Sequence, residues 1–268
     1  MSLLPIVEIA EFIEKPLTGG TTRPMMIIGN DGKQYVLKIF SKTDAKQRSY
    51  TVAEAVANIL AKEFDLVVPN GIYTKIDHLT IKKIEQSQPT LFKLLEEKET
   101  DKLLFASHFQ EGCPIFSPAI KHKSLEISEM ETILAFDMLI ANDDRRKDKP
   151  NILKGKEHYI LIDHEKCFEG LAIHLENMNK GILPHFFKNH LFYTRLNKFA
   201  KKSKNNVNFA TFEEYFRNLN LEKVCTNVHF LIENGYNEDE CNNWLHYLHT
   251  QKENCHKFVA LLKHKIRE

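Results

Sequence analysis

The stretch from Ser128 to Ala141 constrains this chain most, because Ile133, Leu134, Phe136, Met138 and Ile140 leave it almost no polar face. At helical spacing such a segment must be a buried helix packed on several sides, so the second half of the chain has to be built around it. Ser128, followed at the third position by Glu131, predicts a capping box at the helix start. Asp137 lies inside the apolar body.

Directly after this helix come Asn142-Asp143-Asp144-Arg145-Arg146, a basic run, then Pro150-Asn151-Ile152-Leu153 and Tyr159-Ile160-Leu161-Ile162-Asp163-His164. Asn151 to Leu153 and His158 to Ile162 flank Lys154-Gly155-Lys156-Glu157 and predict two short strands joined by a turn. The Asn and Asp residues after the helix are also what an ordinary turn would use. Taken together, a loop carboxylate, an amide soon after it and a second carboxylate at a strand end form a minimal set for phosphoryl transfer. Its transition state needs positioning and cations more than covalent help. Asp144 is then the candidate base for an acceptor hydroxyl. Asn151 and Asp163 are the candidate magnesium ligands, oxygen donors of the kind that ion prefers.

Near the start, Thr18-Gly19-Gly20-Thr21-Thr22-Arg23-Pro24 separates the apolar stretches Ile6 to Ile13 and Met25 to Ile28. Glycines let main-chain N–H groups approach phosphates, although a double glycine by itself is also a common hairpin turn. No Gly-Lys-Ser/Thr closes the segment, so it is not a Walker A loop. Asn30-Asp31-Gly32 predicts a hairpin, and Gln34 to Phe40 the strand that follows it. Lys38 interrupts that strand, a position from which a lysine ordinarily points to water. A helix over Arg48 to Phe64 carries Glu54 among Val52, Ala53, Ala55, Val56, Ile59 and Leu60. Lys38 is the candidate phosphate-contacting cation and Glu54 its partner.

In this order, Gly19-Gly20-Thr21-Thr22-Arg23-Pro24, Asp31-Gly32, Val36-Leu37-Lys38, Glu54, Asp65-Leu66-Val67-Val68-Pro69, Asn142-Asp143-Asp144-Arg145, Pro150-Asn151-Ile152-Leu153 and Ile162-Asp163-His164 resemble the HipA-like kinase family. The resemblance is to its short versions, in which one compact kinase-like domain forms the protein. It implies an α+β, bilobal protein-kinase-like fold: one domain over 1–268, with a small β-rich lobe at 1–110 and a mainly helical lobe at 111–268. It implies ATP and Mg2+ as cofactors and a serine or threonine hydroxyl of a protein partner as acceptor. Gly19, Gly20, Thr21, Thr22, Lys38 and Phe105 would bind nucleotide, and Phe105 to Gly112 would lie at or after the connection between the lobes. Two departures stand out. Asp144 to Asn151 is a longer reach than in full-length HipA kinases, and Glu165 follows Asp163-His164 where many relatives have glycine. The long N-terminal subdomain of the HipA toxins is not expected, and their toxin role is not carried over. A lipid or small-molecule kinase and a nucleotide-binding pseudokinase acting as an interaction module are the alternatives. Phosphorylation at Thr18, Thr21 or Thr22 would bring negative charge to the glycine loop and oppose nucleotide binding.

At 268 residues with 43% hydrophobic and 27% charged side chains, the chain can bury a substantial core. A net charge of +1 gives no global field for nucleic acid, and the basic run from Lys198 to Lys204 reads as a solvated helix end. The five cysteines are dispersed without a Cys-x-x-Cys pair and predict reduced thiols in a cytoplasmic protein. No secretory pattern, no membrane span and no membrane partner are expected. The first 110 residues predict mostly strands, with Ile72 to Thr74 paired with Leu79 to Ile84. Phe209 to Leu219, Leu221 to Glu233 and Glu238 to Ile266 predict helices, the middle one ended by Gly235. His246, His249, His256 and His264 lack a ligand pattern, and Trp244 reads as a packing anchor.

Overall fold

A computed structural model describes residues 3–13, 22, 24–117, 125–203 and 207–268. Its strands are β1 (Ile9–Ile13), β2 (Met25–Gly29), β3 (Gln34–Leu37), β4 (Gly71–Thr74), β5 (Leu104–His108), β6 (Ile152–Lys154) and β7 (Tyr159–Leu161). Its helices are α1 (Tyr50–Glu63), α2 (His78–Ser87), α3 (Pro89–Glu96), α4 (Ile127–Leu139) and α5 (Leu171–Asn179). They continue as α6 (Tyr193–Lys202), α7 (Ala210–Asn218), α8 (Glu222–Glu233), α9 (Glu238–Glu253) and α10 (Cys255–Lys265). The chain is therefore α+β. It forms two compact units, one of Met1–Asn58, Pro69–Glu111 and Glu222–Cys241, the other of Ile59–Val68, Gly112–Leu221 and Asn242–Glu268.

The first unit is organised by an antiparallel sheet in the order β1-β2-β3-β5-β4. Period-two alternation sends Ile27, Tyr35, Leu37, Leu104 and Ala106 to one face, where they meet Phe12 and Ile72 in the core. The β2–β3 turn is the predicted one. Gly32 takes φ +75° and donates to Gly29, while Asp31 accepts from the Lys33 N–H and the Tyr35 hydroxyl. Just before β1, Val7 N–H donates to the Tyr73 carbonyl at 2.9 Å and Tyr73 N–H to the Pro5 carbonyl at 2.8 Å. That pairing covers the β4 edge and curls the sheet back on itself. On the C-terminal stretch of this unit, the Asn227 amide oxygen accepts from the Tyr73 hydroxyl and the Leu4 N–H, and the Tyr236 hydroxyl donates to the Leu103 carbonyl.

One expected strand is a helix. Leu79 to Ile84 lies in α2, because the Asp77 carboxylate caps it by accepting the Thr80 N–H at 2.7 Å. Ile81 is half-buried and Ile84 buried, three residues apart, while Lys82 and Lys83 between them are both exposed, a helical rather than alternating pattern. The partner of β4 is β5 instead.

In the second unit α4 is buried from Met130 to Leu139, as its composition dictates. Phe136 packs on Phe64, which stacks on Phe212 at a centroid distance of 4.9 Å, with Phe216 and Phe258 extending the aromatic core. The capping box is two residues earlier than predicted and is formed by Glu126 and Glu129. Glu131 turns inward: its carboxylate accepts the N–H groups of Asn208 and Phe209 at the start of α7, and burial pushes its pKa up. The expected helix from Glu238 to Ile266 is divided into α9 and α10 at Asn254, whose side chain bonds back to the Thr250 carbonyl. Trp244 is a packing anchor stacked on Phe168 at 4.8 Å. Among the described residues no helix is long and apolar enough to cross a membrane.

Candidate active site

The polar loop after α4 is fixed from beneath by Asp137. Ala141 takes φ +55°, turning the chain so that Asn142 N–H reaches the Asp137 carbonyl and the Asn142 amide donates to Asp137 Oδ1 at 2.8 Å. Asp144 N–H then donates to Asn142 Oδ1 at 3.1 Å, an Asx-type turn that sets the direction of Asp144. Asp137 Oδ2 accepts from Arg145 Nε at 2.6 Å and from His190 Nε2 at 2.9 Å. Arg145 in turn donates from Nη1 to the Asn151 carbonyl at 2.5 Å and from Nη2 to His164 Nε2 at 3.0 Å. A single buried guanidinium thus ties α4 to the main chain of Asn151 and to the neighbour of Asp163.

Burial alone would raise the pKa of Asp137, but Arg145 and His190 outweigh it and hold this carboxyl at about 2. Burial dominates at His190 and lowers its pKa despite the Asp137 carboxylate. The neutral ring donates from Nε2 to Asp137 and accepts the Phe192 N–H at Nδ1, which fixes its tautomer.

Above this support the structure brings Asp144, Asn151 and Asp163 together. The Asn151 amide donates to Asp144 Oδ2 and to the Asp144 carbonyl, both at 3.4 Å. Asn151 at φ +50° and Asp163 at φ +63° are both left-handed, a conformation that Asn and Asp tolerate and that clusters at functional sites. The long reach from Asp144 to Asn151 closes through a turn in which Arg146 N–H donates to the Lys149 carbonyl at 3.0 Å. The β6–β7 hairpin then sets Asp163 beside Asn151, Ile162 N–H donating to the Asn151 carbonyl.

Lys149 was only part of a basic run in the sequence, and it is the centre of this cluster. Its Nζ lies 2.5 Å from Asp144 Oδ2 and 2.9 Å from Asp163 Oδ2. Burial pulls its pKa down, but the two carboxylates outweigh burial and leave it raised. Glu165 is likewise more than a departure from a family pattern: it is buried, and a carboxylate oxygen of it lies within 4.8 Å of one on Asp163. Asp163, Glu165 and the Asn151 amide oxygen are the hard donors that a divalent cation takes. The residues present fit such an ion.

In the first unit, Lys38 follows the last residue of β3, and alternation puts it on the face opposite Leu37 and Ile39. There it donates to Glu54 Oε1 of α1 at 2.5 Å, in the predicted pair. Both side chains are largely buried, at 17% and 8% exposure, so the pair is screened little by solvent. Thr18, Gly19, Gly20 and Thr21 lie outside the described residues, and Thr22 is buried. Phe105 sits within β5 opposite Tyr73, its ring against Gly71, while the chain leaves this unit after Glu111. The residues that sequence reasoning left without a role are Asp137, Arg145, Lys149, Glu165 and His190. The readable signal was Asp137, because an acid inside an all-apolar helix must be paired.

Comparison with known proteins gives the family and the fold. The model of a family described as HipA-like kinase matches residues 8–245. Among solved structures, the Helicobacter pylori proinflammatory kinase CtkA is similar with a TM-score of 0.54 at 10% identity, over 96% of this chain and 95% of that one. At that identity the likeness is one of fold, an α+β kinase-like fold with a small antiparallel sheet. A Golgi casein kinase with Mn/ADP bound gives a TM-score of 0.44 at 12% identity, over 100% of this chain and 73% of that one. No curated protein sequence matches.

Proposed function

This chain belongs to the HipA-like kinase family, and we propose that it uses ATP and magnesium to phosphorylate serine or threonine hydroxyls of a protein. The family makes it a phosphotransferase; the acceptor and the residue roles are our reading. The observation that carries the reading is the gathering of Asp144 and Asp163 around one ammonium group, with the Asn151 amide on Asp144, on a loop that a buried guanidinium holds in place.

Asp144 takes the proton of the acceptor hydroxyl at a carboxylate oxygen, and the Asn151 amide holds that carboxylate in line. Asn151 Oδ1 and the Asp163 carboxylate, with Glu165 beside it, would hold the metal. Bound magnesium supplies positive charge to the phosphate oxygens. Lys38, kept in one rotamer by Glu54, donates to the nucleotide phosphates. By the family pattern Gly19, Gly20, Thr21 and Thr22 would bind the nucleotide too. Free thiols at all five cysteines support a cytoplasmic setting.

The test is phosphate transfer by Asp144→Asn and Asp163→Asn chains that still unfold cooperatively. Each should lose about 100-fold or more of turnover, the scale of a lost base or ligand; normal turnover in both overturns the reading. Incubation with labelled ATP and a lysate, followed by separation of protein, lipid and small solutes, tests the acceptor. Label in lipid or solutes alone overturns the protein assignment.

A further inference from the structure

Lys149 has no part in the transfer just described, yet it contacts both carboxylates assigned to that transfer. Its ammonium bridges Asp144 Oδ2 at 2.5 Å and Asp163 Oδ2 at 2.9 Å. The other cations near Asp144 stand further off, Arg146 at 3.5 Å and Lys166 at 3.9 Å, and both address Oδ1. The Asp144 side chain is 3% exposed and that of Asp163 16%, so water screens their mutual repulsion poorly. The Lys149 ammonium, in contact with both, offsets that repulsion.

A metal ligated by Asp163 requires the same carboxylate that Lys149 now occupies. An ammonium and a divalent ion cannot crowd onto that group without repelling each other. Lys149 is also able to leave. Its side chain is one-third exposed on a flexible four-carbon stem, while its main chain is anchored by the Arg146 N–H and by Pro150 after it. Withdrawal therefore needs side-chain rotation alone.

We propose that Lys149 is a built-in counter-cation, which holds Asp144 and Asp163 together before metal binds, yields Asp163 to the metal, and so sets the metal affinity of the site. This rests on the reading of Asp163 as a metal ligand. Lys149 is in these terms a positioning residue.

Mn2+ binding to the full nucleotide-free chain, followed by electron paramagnetic resonance, tests it without any measurement of activity. Lys149→Met should bind Mn2+ about tenfold or more tightly than the native chain, and its melting temperature should rise further on adding Mn2+. Lys149→Arg keeps the charge and should stay as weak as the native chain. Should Lys149→Met fail to fold, Lys149→Gln keeps a donor without the charge and should bind as tightly as predicted for Met. Native-like affinity in the uncharged variants, with binding abolished in Asp163→Asn, overturns the role of Lys149 and leaves the site standing. Mn2+ binding that Asp163→Asn does not disturb overturns the ligand assignment, and the inference with it.

Discussion

Arg145 Nη1 donates to the Asn151 carbonyl across 2.5 Å from a guanidinium with no solvent exposure. The residue whose amide faces Asp144 is thus held by a charge that is itself anchored 2.6 Å away on Asp137. The rigidity of the loop comes from α4, the most buried helix segment of its unit, and not from the loop.

Arg145→Met should therefore destabilise the protein by about 3–5 kcal/mol, because it strands the Asp137 carboxylate in the interior. Asp137→Leu strands the guanidinium and should cost a similar amount. The double variant should lose clearly less than the two single losses combined, since neither charge is then left alone. Urea denaturation measures all three; additive losses would mean that the two residues are not coupled.

In the proposed function Glu54 acts on nucleotide only through its contact with Lys38, so the two should not be independent. Lys38→Met should raise the KM for ATP or lower kcat by about tenfold or more, the equivalent of roughly 1.4 kcal/mol. Glu54→Gln should impair the native enzyme but cost little more in the Lys38→Met background. Equal effects of Glu54→Gln in both backgrounds would detach it from Lys38.

Gly71 is where β4 meets the Phe105 ring. A Cβ there would lie 2.5 Å from Phe105 Cε2 and 3.0 Å from Asn58 Oδ1. Gly71→Ala should destabilise by about 1–3 kcal/mol through this overpacking, and Phe105→Leu in the same chain should recover part of the loss. Thermal unfolding of the three variants decides it; an unaffected Gly71→Ala melt rules the clash out.

Local signals in the sequence reached as far as local forces decide the structure. The apolar body of α4, the Asn30-Asp31-Gly32 turn and the β6–β7 hairpin were legible because periodicity or turn chemistry determines each of them, and the Lys38–Glu54 pair because it matches the lysine and helix-glutamate pair of kinases. Leu79 to Ile84 was misread because the Asp77 cap outweighs a run of apolar residues that also suits a strand. Glu131 was assigned to its own helix start, whereas tertiary packing gives it to the N-terminus of α7. Lys149 was hidden for a different reason. Nothing within Arg146 to Lys149 marks which cation turns inward, and the choice is made by the Arg146–Lys149 turn together with the distant Asp163.

The Asp137 network also predicts how stability follows pH. His190 titrates below its ordinary 6.5 when folded, so the unfolded chain binds its proton first. Stability from this group is complete above about pH 6.5 and declines as pH falls below it. Asp137 titrates at about 2 when folded against an ordinary 3.8, so its contribution holds above pH 3.8 and is lost as pH falls toward 2. That second loss is worth about 2 kcal/mol. Urea midpoints between pH 8 and pH 2 should show one decline beginning near pH 6.5 and a second at the acid end. His190→Gln retains an N–H donor for Asp137 without titrating, and should flatten the upper part of the curve relative to the native chain. An identical decline between pH 7 and pH 5 in both proteins would place that proton on another group.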